Sequence, residues 1–232
     1  MFPINGPTWS LFFEVAIDLF YAALARVLTL TSLAGIIAVS LAWLVYATIS
    51  ASTIGSLGVY YEWAWSGIPR TSFSFVVGVA LYRLYEVGRL PTIKMHPLIL
   101  AASLLAVFLP SFNNGTGNIV FELACVTIIF PLIIAAGSQS RPEGWLVGVA
   151  TLSGALSYPI YVLHMPFLLW YEHLSLLPGR TTIIAAALIV PPISYLVLKY
   201  FDEPLRRLLS RALRRAVEPN VAQPSSNEPA VT

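Results

Sequence analysis

Two carboxylates inside an apolar run are the first residues with the means to do chemistry. Glu14 and Asp18 lie four positions apart in the stretch 9–28, hence on one face of a helix. Ionisable groups within a bilayer are expensive, so each marks a candidate site. Two carboxylates this close repel when both are charged, which asks for a cationic partner or a shared proton, the setting of general acid or base work. A structural pair bonded to neighbouring helices has the same spacing. A second constellation lies in Ser157-Tyr158-Pro159-Ile160-Tyr161-Val162-Leu163-His164. Ser157, Tyr161 and His164 recur at i, i+4 and i+7, one polar stripe carrying an imidazole. Pro159 frees a backbone carbonyl in mid-helix, which a cavity or a neighbouring helix must satisfy. Arg70 is the only basic residue in the loop before the third apolar stretch, suited to anchoring at the interface, to holding an anion or to pairing with a carboxylate.

The elements that must position these residues are apolar. Of 232 residues, 57% are hydrophobic and 10% charged, against about 25% charged in soluble domains; the mean hydropathy is +0.78. The expected fold class is all-α, a polytopic transmembrane helix bundle of about seven spans. The stretches are 9–28, 33–49, 71–87, 97–110, 118–136, 146–170 and 180–200, the fourth short enough to be re-entrant. Breaks such as Gly88 to Pro97 and Pro178-Gly179 separate them. The small residues Gly148, Ala150, Ser153, Gly154 and Ala155 offer the sixth stretch a face for close packing. The start of the chain lacks a basic n-region, so the first run reads as a span and not as a secretory leader. Basic residues favour cytoplasmic loops. With the N-terminus outside and the C-terminus inside, Arg26, Arg83, Arg89, Lys94, Arg141 and the cluster Lys199 to Arg215 fall inside. That sorts eleven of the thirteen basic residues, leaving Arg70 and Arg180 outside. The expected location is a membrane, multi-pass, of the bacterial inner (plasma) membrane type.

Residues 201–217 read as a basic amphipathic segment on an anionic membrane surface, with Leu205, Leu208 and Leu209 toward lipid. Residues 1–217 form one transmembrane domain and 218–232 a disordered tail. Cys125 reads as a small buried packing residue. Glu122, Glu172 and His173 read as surface groups at span ends, and Tyr60 to Trp65 as an interfacial aromatic belt. No phosphate loop, zinc-ligand spacing, nucleophile elbow or nucleic-acid surface is present in the sequence.

Three ordered segments carry a resemblance. Pro7-Thr8-Trp9-Ser10-Leu11-Phe12-Phe13-Glu14 is similar to a W-S-L-x-x-E segment; Arg70-Thr71-Ser72-Phe73-Ser74-Phe75 with Gly78 is similar to an R-x-x-x-F-x-x-G stretch; and Ser157 to His164 is similar to an S-Y-P-x-Y-x-x-H run. Asp202-Glu203-Pro204 after the last stretch resembles the same family's ending. Together they resemble the acyltransferase-3 family of integral membrane acyltransferases. The resemblance implies transfer of an acyl group, acetyl above all, from acyl-CoA to a hydroxyl of an extracytoplasmic carbohydrate or glycolipid. Acyl-CoA is then the donor substrate, no cofactor or metal is bound, and the partners are lipid and a carbohydrate or lipid-linked sugar, not nucleic acid. It implies Glu14 and His164 as catalytic residues, with Arg70, Tyr161, Ser157 and Trp9 binding substrate; Asp18 joins them on helical spacing alone. Family members carry further spans ahead of the W-S-L-x-x-E segment, with an arginine and a histidine expected at the catalytic centre. This sequence begins at that segment and so resembles an N-terminally truncated member. The alternative reading is a non-catalytic membrane remnant or a partner subunit for polysaccharide export.

Overall fold

Each of the seven apolar stretches is helical in the structure, a computed structural model that describes residues 8–110, 115–173 and 180–217. The helices are α1 (Thr8–Leu24), α2 (Leu30–Ala51), α3 (Gly67–Glu86), α4 (Pro97–Val107), α5 (Thr116–Ala124), α6 (Phe130–Gly137), α7 (Trp145–His173), α8 (Arg180–Val197) and α9 (Glu203–Val217). No strand occurs among the described residues. The break at Pro178-Gly179 and the tail from 218 lie outside them. Four helical stretches are long and apolar enough to cross a membrane: Leu30–Ala51, Thr116–Gly137, Trp145–Tyr171 and Thr181–Ala212. Helix α1, with 17 residues, is shorter, and α3 is diluted by Arg70, Arg83 and Glu86. Helix α4 has 11 residues, which at 1.5 Å each spans about 16 Å of a core about 30 Å thick.

The chain divides into two compact units, Met1–Leu152 and Ser153–Thr232. In the first, α2 lies along α3, α1 and α6 also pack on α3, and α4 packs on α6. Helix α2 opens with a capping box, Thr29 and Ser32 bonding each other's backbone N–H at 3.1 and 2.7 Å. The core is Leu44, Ala47, Ile54, Leu57 and Phe73, with Leu41, Val77, Leu123 and Val126 packed around it. Arg83 of α3 donates to the carbonyls of Leu28 and, at 3.1 Å, Ala25. It thus satisfies the open carbonyls beyond the end of α1. Cys125 is buried, as its apolar context predicts.

Two π turns interrupt the helical rods, and both have the same local cause. Cys125–Ile129 precedes Phe130-Pro131, and Leu198–Asp202 precedes Glu203-Pro204. Proline cannot donate to the carbonyl four residues back, and the chain widens by one residue just before it. In the second unit the helical path therefore runs from α8 through the π turn into α9. Asp202–Arg206 at 2.9 Å and Glu203–Arg207 at 3.2 Å support α9 at i, i+4 spacing. One face of α8, with Thr182, Val190 and Ser194, is buried.

The small residues of α7, Gly148, Ala150, Ser153, Gly154 and Ala155, are exposed, and a Cβ built on Gly148 or Gly154 meets nothing within 4 Å. Small side chains permit close packing, but no described element covers this face. Elsewhere many large apolar side chains are exposed, among them Leu19 at 68%, Leu109 at 81% and Leu188 at 70%. Such a surface suits lipid and would be a liability in water.

Candidate functional site

The connection from α2 to α3 folds inward instead of crossing the surface. Thr53 caps a single 3-10 turn, Ile54–Ser56, by accepting the Gly55 N–H at 3.0 Å. Ile54 and Leu57 enter the core, Leu57 completely. Opposite charges hold the two ends of this turn. At its amide end, Glu122 of α5 accepts the Ile54 N–H and the Thr53 hydroxyl, both at 2.8 Å. At its carbonyl end, Arg70 of α3 donates through Nη1 to Ile54 at 3.0 Å and to Leu57 at 2.9 Å. An acid at the amide end and a cation at the carbonyl end match the dipole of the turn. Bonds of this kind, with one charged partner, are about twice as strong as neutral ones.

Arg70 and Ile54 line two cavities beside the clamp. One, of about 360 Å³, also has Phe108, Asn118, Phe121 and Glu122 in its wall. The other, of about 370 Å³, has Phe73, Ser74, Gly78 and Phe130. Both walls are mostly apolar, with Arg70, Asn118 and Glu122 in the first and Arg70 and Ser74 in the second, which suits a ligand with a few polar groups.

Trp9 lies against Arg70. The guanidinium carbon lies 5.0 Å from the centroid of the indole, a cation–π contact. The same ring covers Gly58, where φ is +81° and a Cβ would fall 2.5 Å from the indole. Only glycine fits there. Phe13 meets Trp9 edge-on at 6.1 Å and closes over Gly67. Helix α1 is thereby fixed to the start of α3. Glu14 and Asp18 share a face of α1 as their spacing predicts, and both are exposed. Among the described residues neither has a hydrogen bond or an ion pair, so the cationic partner their proximity asks for is not found there. They lie one position on from the Phe13–Ile17–Tyr21 stripe that turns inward, and packing against α3 leaves them on its flank.

In the second unit, α7 carries the Ser157–Tyr161–His164 stripe. Ser157 donates its hydroxyl back to the Gly154 carbonyl at 2.8 Å. The rings of Tyr161 and His164 lie 5.8 Å apart. His164 Nδ1 is 2.7 Å from the Tyr161 carbonyl and 3.2 Å from that of Ile160. A carbonyl oxygen only accepts, so these contacts assign the ring proton to Nδ1 and leave the lone pair of the neutral imidazole on Nε2. A histidine held in that tautomer is suited to take a proton at Nε2. Pro159 is buried in the same helix, which continues through both Pro159 and Pro166.

Sequence reasoning assigned Glu122 to the surface and passed over Thr53. The available signal was Glu122 itself, an ionisable residue inside the apolar stretch Thr116–Gly137. Among the described residues no three His, Cys, Asp or Glu side chains cluster in a way that would hold a metal ion.

An all-helical chain with several apolar helices and polar groups set among them is a helical membrane protein. The model of the acyltransferase-3 domain, described as an acyltransferase domain, matches residues 1–199. The chain therefore belongs to the acyltransferase-3 family, and its broad class is membrane acyltransferase. No curated protein and no solved structure matches it.

Proposed function

We propose that this protein moves an acyl group, acetyl in the first instance, from acyl-CoA to a hydroxyl of an extracytoplasmic carbohydrate or glycolipid. It does so from a multi-pass position in a bacterial inner membrane, through about seven spans with the N-terminus outside. The observation that carries this reading is the family match across nearly the whole helical region. The tautomer of His164 and the cation in the walls of the Arg70 cavities lend it support.

In the chemical step, His164 Nε2 takes the proton of the acceptor hydroxyl. The hydroxyl oxygen then forms a bond to the thioester carbonyl carbon. The C–S bond breaks, the sulfur leaves as thiolate, and the imidazolium returns the proton to it. Glu14 is the other residue proposed to be catalytic, as the family resemblance of its segment implies. Arg70, Trp9, Asp18, Tyr161 and Ser157 are proposed to bind substrate. A base is needed because an alcohol oxygen is a weak nucleophile until its proton is taken.

The test is Glu14→Gln in the full chain, expressed in membranes. The substitution keeps the shape and removes the charge. The expected result is loss of transfer from labelled acetyl-CoA with membrane insertion unchanged. Full transfer by Glu14→Gln would remove Glu14 from the mechanism.

A further inference from the structure

Helix α9 has one apolar face, and no described element covers it. At about 100° per residue, Leu205, Leu208, Leu209 and Ala212 fall within an arc of about 100°. The three leucines are 42%, 62% and 54% exposed. Arg206 and Arg211 flank that arc, one on each side and about 60° beyond its edge, while Arg207 and Arg214 lie opposite it.

Charge decides what complements this face. The segment 201–217 carries five arginines against two acids. Both acids are already paired within the segment, Asp202 with Arg206 and Glu203 with Arg207. Among the described residues Arg211 and Arg214 have no ion pair. A second copy of α9 would bring five more arginines to the contact, and like charges repel. The complement is therefore apolar in its depth and negative at its rim, as the surface of a bilayer with anionic phospholipid is.

The junction ahead of α9 points the same way. The 18 residues of α8, at 1.5 Å each, cover about 27 Å of an apolar core about 30 Å thick, so α9 begins at the membrane surface. Tyr200 and Phe201 stand there, 71% and 66% exposed, with Lys199 Nζ 5.8 Å from the centroid of the Tyr200 ring. Aromatic and basic side chains of this kind anchor a span among headgroups. The π turn Leu198–Asp202 and the proline after it are features at which helices bend, which lets α9 leave the direction of α8.

We propose that α9 docks in the plane of an anionic phospholipid surface. Its leucines enter the acyl boundary, and Arg206 and Arg211 reach headgroup phosphates on either side. In the topology proposed above this is the cytoplasmic leaflet; the docking does not depend on the acyl-transfer reading.

The test uses the full chain in nanodiscs of phosphatidylcholine, alone or with one third phosphatidylglycerol. Cys125, the single native thiol, is replaced by alanine. A nitroxide is then attached through Leu208→Cys on the apolar face or Ser210→Cys on the polar face. Oxygen, which concentrates in lipid, and a water-soluble nickel chelate report the surroundings of each label. In the mixed discs, oxygen should dominate at 208 and nickel at 210. Each arginine near an anionic surface is worth about fivefold in the ratio of docked to undocked helix, so Arg206→Gln with Arg211→Gln should lower it about 30-fold. Phosphatidylcholine discs should lower it at least as far. Arg206→Lys with Arg211→Lys keeps the charge and should stay within about twofold, which separates lost charge from lost folding. Nickel dominance at 208 as at 210 would make α9 a solvated helix. Exclusion of both reagents at 208 would mean that protein covers the face. Equal docking with and without phosphatidylglycerol would remove the role of charge. Each of these three results overturns the proposal.

Discussion

The clamp around Ile54–Ser56 and the histidine segment of α7 are both polar insertions in apolar helices, and they are held in opposite ways. The clamp is held by long-range bonds: Glu122 reaches across 69 positions to Thr53, and Arg70 grips the backbone of the inward turn while lying over Trp9. His164 is held by carbonyls three and four residues before it on its own helix. Strength in the first case comes from tertiary structure, so damage there spreads into the core through Ile54 and Leu57. In the second case the local helix supplies the support, through Nδ1 alone. The clamp therefore bears on stability, and the histidine segment carries the chemistry proposed above.

That contrast breaks most visibly at His164. His164→Gln should lower acyl transfer by about 10²- to 10⁴-fold, the range for removing a general base. Unfolding in mixed detergent micelles should shift by less than about 1 kcal/mol, since only local bonds are lost. A large stability loss would merge the two regions. Next comes Glu122→Ala, expected to cost about 2–3 kcal/mol, because it leaves the Ile54 N–H and the Thr53 hydroxyl unpaired beside the core. Gly58→Ala should cost about 2 kcal/mol in the same assay, through its positive φ and the close approach of Trp9. Arg70→Lys should cost about 1–2 kcal/mol, since a lysine lacks the flat guanidinium that lies over Trp9 while its Nη1 reaches both carbonyls. The smallest effect belongs to Arg206→Ala, which loses an exposed i, i+4 pair and should stay within about 0.5 kcal/mol.

Much of this was legible in the sequence, and the rest resisted for definite reasons. All seven apolar stretches are helices because long apolar runs leave the backbone few other ways to satisfy itself. The polar stripe at 157, 161 and 164 and the shared face of Glu14 and Asp18 follow directly from helical spacing. The role of Glu122 was hidden because its partners are a backbone amide and a threonine in a non-periodic turn. Ile54 and Leu57 are core residues in the break between the second and third apolar stretches, where no periodicity marks them. Arg83 read as a charge placed by topology, yet it closes the end of α1 through two carbonyls. The π turns had a readable cause in Pro131 and Pro204, but only the structure shows that the helices widen there and do not stop.

The central claim is that this chain transfers an acyl group with His164 as base. The most direct measurement is transfer of label from acetyl-CoA to membrane glycans, comparing membranes that carry equal amounts of the inserted chain and of its His164→Gln variant. The account predicts labelled ester in the first and a loss of at least about a hundredfold in the second. Equal labelling by the two, or none by the inserted chain, would contradict it.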